Sequence, residues 1–230
     1  YAASLGRTNF SNKEKTEFKK LLSYVDIISV REEEGAQILR ELTDKTITCV
    51  PDPTLLVNKS QWEKLVVPQK INSKKYIFVY MLAYNQYLID LAYTVSNLLN
   101  CEIVLLDSGG LSKKIRGMKR KRHYGPKEFI STVADAEYVI TDSFHGTVFS
   151  VIFNKQFFTV PHKNKGSRMI NFCRKLDLED RIAYENRVIS IEEIKNNIDY
   201  GIVQLKVVEL KRVGFQFIKN ALKEPERGQI

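Results

Sequence analysis

Residues 137–153 read Glu-Tyr-Val-Ile-Thr-Asp-Ser-Phe-His-Gly-Thr-Val-Phe-Ser-Val-Ile-Phe, and the pattern of this stretch decides the fold class. A short apolar run, Tyr138 to Ile140, breaks at the polar knot Thr141-Asp142-Ser143-Phe144-His145-Gly146-Thr147. A second apolar run of helical length follows at once. A strand that ends in a Gly-containing polar turn and opens directly into a helix is where α/β proteins hold phosphate and carboxylate ligands. The chain has three histidines, and His145 sits in this turn. Imidazole is the side chain whose ordinary pKa suits proton transfer near neutrality.

The same alternation extends in both directions. Ser11-Asn12-Lys13-Glu14 matches a capping box and opens a helix with Phe18, Leu21 and Leu22 on one face. Residues 26–30 read as a strand, 32–42 as a helix and 46–50 as a strand, which Pro51-Asp52-Pro53 ends because proline lacks an amide donor. Residues 76–82, 86–99 and 102–106 form a strand–helix–strand unit. Pro126 stands at a first helical position and leads a helix to about 134. The strand 138–141, a helix from about 146 to 153, and a strand at 157–160 follow. Residues 167–175 and 191–197 read as shorter helices, and Asp199 caps a long final one. Strands separated by helices imply parallel βαβ units covered on both faces.

The stretch 58–74, with Asn58-Lys-Ser60, Pro68 and Asn72-Ser73-Lys-Lys75 at its close, is the best linker candidate. The domains expected are therefore residues 1–67, the closing part of a first Rossmann-like domain, and 68–230, a whole second one. The last helix is a candidate for packing back on the first domain. The chain opens without methionine and partway through a strand, so it reads as part of a longer protein with its first domain incomplete.

Composition sets the outer bounds. The 230 residues are 43% hydrophobic and 27% charged, the balance of an ordinary globular protein. No apolar run approaches the roughly 20 residues of a membrane-spanning helix, and a cytoplasmic protein is expected. Three scattered cysteines, Cys49, Cys101 and Cys173, fit packed thiols rather than a disulfide framework or zinc site. The net charge of +9 is concentrated in residues 113–123, which hold seven Lys or Arg and no acid. Such a run reads as a solvated loop, or as a contact for acceptor phosphates, lipid headgroups at the inner membrane face, or nucleic acid. It lacks the interleaved aromatics of a base-stacking surface, and no nucleic-acid partner is expected.

Three further positions carry candidate chemistry. The amides of Gly146, Thr147 and Val148 would stand free at a helix start and suit an anion, with His145 beside it as acid or base. The alternative is a capped helix with His145 as a packing residue. Arg31 closes an apolar strand, and its planar fork suits carboxylate or phosphate; the alternative is an ion pair with Glu32, Glu33 or Glu34. Lys163-Asn-Lys165-Gly166-Ser167-Arg168 follows a strand and forms a second anion-site candidate, or a solvated turn. The chain has no Gly-x-Gly-x-x-Gly, Walker, Gly-x-Ser-x-Gly or metal-spaced His/Cys pattern, which argues against the corresponding enzyme classes. Neither a metal nor a cofactor is expected.

Together these residues resemble the polysaccharide pyruvyltransferase family. The matching pieces, in order, are Tyr1-Ala-Ala-Ser-Leu-Gly6, Ile28-Ser-Val-Arg-Glu32, Pro51-Asp-Pro-Thr-Leu-Leu56 with Trp62, Gly125-Pro126 with Phe129, Val139-Ile-Thr-Asp-Ser-Phe-His-Gly146, and Ser167-Arg168 near Asp180-Arg181. The resemblance implies a GT-B-like architecture of two Rossmann-like domains, the first on the acceptor side and the second on the donor side. It implies transfer of pyruvate from phosphoenolpyruvate to a sugar of a cell-surface polysaccharide or its lipid-linked precursor. On this resemblance His145 is the catalytic acid–base group, and Arg31, Ser143, Phe144, Gly146, Thr147 and Arg168 bind substrate. Asp142 orients the turn. Many members have arginine where Ser143 stands here. Two other readings share the architecture: a GT-B glycosyltransferase using a nucleotide sugar, and a catalytically silent homologue.

Overall fold

The computed structural model describes residues 1–6, 9–67, 75–107, 115–122, 124–162 and 166–223. The chain falls into two compact units, residues 1–56 with the described part of 204–230, and residues 57–203.

In the first unit, α1 (Asn12–Ser23) opens on the expected capping box: Ser11 Oγ accepts from the Glu14 amide at 3.3 Å and Glu14 Oε2 accepts from the Ser11 amide at 2.8 Å. β1 (Ile28–Val30), α2 (Glu33–Arg40) and β2 (Ile47–Cys49) form a parallel βαβ unit in which Ile28 lies opposite Ile47. Its core is Leu22, Ile28, Val30, Ala36, Leu39 and Ile47. Leu21, expected on the buried face of α1, is exposed instead. α3 (Pro53–Leu56) begins at a proline whose ring presets the helical φ.

The second unit opens with α4 (Lys59–Glu63), a short helix inside the segment expected to be a linker. Trp62 gives the reason, since its ring packs edge-on to Phe149 at 5.0 Å. Residues 68–74 of that segment lie outside the described residues. Then come β3 (Tyr76–Met81), α5 (Gln86–Leu99), β4 (Glu102–Asp107), β5 (Met118–Lys121), α6 (Pro126–Asp135), β6 (Tyr138–Thr141), α7 (Phe144–Ile152), β7 (Gln156–Thr159), α8 (Ser167–Lys175) and α9 (Ile191–Lys195). α10 (Tyr200–Ala221) follows Asp199, whose carboxylate accepts from the Gly201 amide at 2.8 Å, and from residue 204 onward it belongs to the first unit.

The five strands of this unit run parallel in the order β5-β4-β3-β6-β7. The fold class is therefore the α/β class with parallel sheets read from the sequence. β3 is almost wholly buried and β6 wholly so, as strands covered on both faces must be. The order reverses at β3, which has β4 on one side and β6 on the other. A crevice forms at such a switch point, beyond the carboxyl ends of the strands. Past β7, an isolated parallel bridge from Thr159 to Ile182 prolongs the sheet.

The basic run is not simply a loop. Residues 118–121 form the edge strand β5, where Lys119 pairs with Glu102 at 2.6 Å and Arg120 forks onto Asp107. Burial of Met118 and pairing with two carboxylates on β4 explain how so basic a segment forms a strand. Lys113, Lys114 and His123 lie outside the described residues.

Candidate functional site

The switch point is built from three segments that leave the sheet together. β3 ends at Met81 and continues into Leu82 and Ala83. β6 ends at Thr141 and continues into Asp142 and Ser143. β7 ends at Thr159 and continues into Pro161 and His162. Asp142 joins them. Its Oδ1 accepts from the Leu82 amide at 2.7 Å, and Oδ2 accepts from the Ala83 amide at 3.4 Å and lies 3.3 Å from His162 Nε2. The side chain is fully buried. Burial pushes its carboxyl above the usual carboxylate range, opposed by the two amides and by His162. Asp142 thus orients the turn.

The polar knot is a closed chain of hydrogen bonds. Thr141 Oγ1 donates to the Tyr80 carbonyl at 2.7 Å and accepts from the Ser143 amide at 3.0 Å. Ser143 is the N-cap of α7 and its Oγ accepts from the Gly146 amide at 3.4 Å. Thr147 donates its amide, at 3.0 Å, and its hydroxyl, at 3.1 Å, to the Ser143 carbonyl. Its hydroxyl oxygen also lies 2.8 Å from that of Thr159. The helix therefore starts at Phe144, two residues earlier than its sequence suggested. This corrects the expectation of open amides at Gly146, Thr147 and Val148: those of Gly146 and Thr147 are engaged within the cap, and all three residues are buried.

Gly146 has a packing role here. A Cβ at this position would stand 2.9 Å from both Cβ and Cγ2 of Thr141 and still closer to its hydroxyl. The glycine lets α7 lie against the end of its own strand.

His145 is exposed on the first turn of α7. Phe144, half-buried beside it, packs edge-on to Phe172 at 5.9 Å and carries the Arg168 guanidinium over its ring at 5.4 Å. Ser143, Phe144, His145 and Arg168 are thereby brought to one place. Lys163 to Lys165, the rest of the second anion-site candidate, lie outside the described residues. Gly166 is tightly enclosed, since a Cβ there would meet the His162 carbonyl at 2.7 Å.

Arg31 belongs to the first unit. Its Nε donates to the Ala2 carbonyl at 2.8 Å and its Nη1 pairs with buried Asp52. Asp52 Oδ1 also accepts from the amide and hydroxyl of Thr54 at 3.0 and 2.6 Å. The ion-pair alternative for Arg31 was sound in kind, but its partner is Asp52, twenty-one residues on.

Two groups escaped sequence reasoning. Burial and the nearby Asp142 charge raise the Tyr80 phenol pKa, opposed by the neighbouring Ser143 side chain. His162 stands at the end of β7, the neighbour of β6 in the sheet. The available signal was register: a histidine just past one parallel strand lands beside the turn that closes the next. Among the described residues, no group of three His, Cys, Asp or Glu side chains is placed to hold a metal, and no helix is long and apolar enough to cross a membrane.

Residues 1–164 match the family model described as polysaccharide pyruvyl transferase. No curated protein matches the chain. Among solved structures, it is similar to a glycotransferase of kitacinnamycin, at 12% identity and TM-score 0.49, covering 92% of this chain and 62% of that one. It is similar to the UDP-GlcNAc 2-epimerase of Methanocaldococcus jannaschii, at 11% identity and TM-score 0.48, covering 85% and 60%. It is also similar to the wall teichoic acid polymerase TagF, at 14% identity and TM-score 0.47, covering 94% and 64%. The chain spans less than two thirds of the length of each.

Proposed function

This chain belongs to the polysaccharide pyruvyl transferase family, a family of transferases, and from that premise we propose that it moves pyruvate from phosphoenolpyruvate to a hydroxyl of a sugar in a cell-surface polysaccharide or its lipid-linked precursor. The observation that carries the reading is the exposed His145 on the first turn of α7, beside Ser143 and the Arg168–Phe144 stack. Transfer from an enol phosphate begins with a proton delivered to the enol carbon, C3. That delivery makes C2 electrophilic and requires an acid beside a site for a phosphate and a carboxylate.

His145 supplies the proton. Arg168, held over Phe144, supplies the cation for the anionic donor, and Ser143 shapes the turn. A positioned cation of this kind acts where charge develops as the phosphate departs. With serine at 143, the guanidinium that reaches this turn is that of Arg168, stacked on Phe144. We place the reaction on the cytoplasmic side of the membrane, with exposed Arg116 and Arg122, on either side of β5, facing anionic headgroups.

Release of inorganic phosphate from phosphoenolpyruvate, in the presence of pyranose acceptors, tests the reading. His145→Ala should lower the rate by about 10²–10⁴ with an unchanged melting temperature, because the side chain is exposed. Normal turnover by this variant would exclude His145 as the acid. A wild-type protein that releases phosphate with no acceptor in the panel would exclude sugar as the acceptor class.

A further inference from the structure

A second constellation at the same sheet edge is unused by the reading above. Beyond β7 the chain runs through Pro161 and His162, and beyond the Thr159–Ile182 bridge it runs through Tyr184, Glu185 and Asn186. These two continuations and Ile170 of α8 line a cavity of about 590 Å³, within the about 300–1,000 Å³ typical of small-molecule sites.

Its polar groups are held in place. His162 presents Nε2 to buried Asp142, which leaves Nδ1 for a ligand. Glu185 Oε1 accepts from Asn85 Nδ2 at 3.2 Å, while Asn85 Oδ1 caps α5 by accepting from the Leu88 amide at 3.0 Å. Tyr184, 40% exposed, lines the cavity. An aromatic face beside a fixed carboxylate and a carboxamide suits a pyranose. The C–H face of the sugar lies on the ring, and its hydroxyls meet Glu185 and Asn186.

We propose that this cavity, although it lies in the unit that the family resemblance puts on the donor side, holds the acceptor sugar and that His162, positioned by Asp142, is the base for its attacking hydroxyl. The proposal rests on the pyruvyl-transfer reading. The hydroxyl O–H bond breaks, its proton goes to His162 Nδ1, and its electron pair forms the bond to C2 of the donor, made electrophilic by protonation at C3. The Asp142 carboxylate stabilises the resulting imidazolium. Phosphate leaves with the C2–O bonding pair. A second hydroxyl of the same sugar then closes the ketal, and its proton leaves with the phosphate. One hydroxyl proton replaces the one consumed at C3 and the other accompanies phosphate, so the sum balances.

The first test is binding, by saturation-transfer NMR of the intact protein with methyl β-D-galactopyranoside and methyl β-D-glucopyranoside. Transfer to at least one pyranoside is expected. It should persist when phosphoenolpyruvate is added and should fall at least fivefold in Tyr184→Ala and Glu185→Gln. No transfer to either sugar, or displacement by phosphoenolpyruvate, overturns the sugar assignment. This outcome is independent of phosphate release, so it can be told apart from failure of the donor reading.

The second test is kinetic, at saturating donor. His162→Ala should lower kcat at least a hundredfold, with partial recovery on adding imidazole, which a merely structural loss would not show. Asp142→Asn should lower kcat and leave the sugar KM within twofold. Unchanged kcat in His162→Ala, or a loss that imidazole does not restore in a variant melting like the wild type, overturns the role of His162.

Discussion

At the scale of single residues, Arg31 shows how a candidate ligand is also a structural group. Its guanidinium ties the end of β1 to the Pro51–Pro53 turn through Asp52, which is only 5% exposed. Removing the cation leaves a buried carboxylate without its guanidinium, and an uncompensated charge of that kind costs about 3–5 kcal/mol. Arg31→Ala should therefore lower stability in urea by an amount in or just below that range. Asp52→Asn in the same chain should recover part of the loss, because the stranded charge is gone. Additive losses in the double variant would show that the pair is not coupled. A linear reading placed Arg31 next to three glutamates; only the parallel pairing of β1 and β2 reveals Asp52 as its partner.

At the scale of elements, most of the helices and strands were legible, and the gaps have identifiable causes. β6 lies where its apolar run put it, and α5 and α8 match the segments that period and length marked. α7 starts early because the Ser143 hydroxyl and carbonyl take up the amides of Gly146 and Thr147, a side-chain cap that periodicity alone does not register. β5 was hidden because Lys and Arg dominate it, and its pairing with Glu102 and Asp107 depends on a neighbour in space. For the site, the turn that carries His145 was legible because strand, turn and helix are contiguous. His162 was not, because it is joined to Asp142 across two strands. The tight seat of α7 yields a prediction whose sign is not the usual one. Glycine to alanine within a helix is ordinarily stabilising by about 1 kcal/mol. At Gly146 the new methyl would press on the β-branched Thr141, which is itself fixed to the Tyr80 carbonyl. Overpacking of about 1–3 kcal/mol should win, lowering the melting temperature by several degrees. A calorimetric scan showing Gly146→Ala at or above the wild-type value would show that Thr141 can move.

At the scale of the whole molecule, Asp142 couples the switch point to global stability. The sheet order brings β3, β6 and β7 side by side, and a single buried carboxylate fastens the segments leaving all three. Burial raises its pKa in the folded state above the unfolded value of 3.8. The folded protein then holds a proton at Asp142 over a pH interval in which the unfolded chain has already released it. Stability from this group is complete below the unfolded pKa and is lost as pH rises through the folded one. Glu193 behaves oppositely. Its pKa is lowered, chiefly by the Ser190 amide, so its contribution is lost as pH falls. The two signs overlap in a simple melting curve, and a variant separates them. Asparagine at 142 cannot ionise, and although it forfeits one of the amide bonds, that loss is the same at every pH. The difference in unfolding free energy between Asp142→Asn and wild type, followed by urea titration from pH 4 to pH 7, should shift in favour of the variant as pH rises. A flat difference, or a shift toward the wild type, would mean that Leu82, Ala83 and His162 together outweigh burial and that the folded carboxylate is not raised.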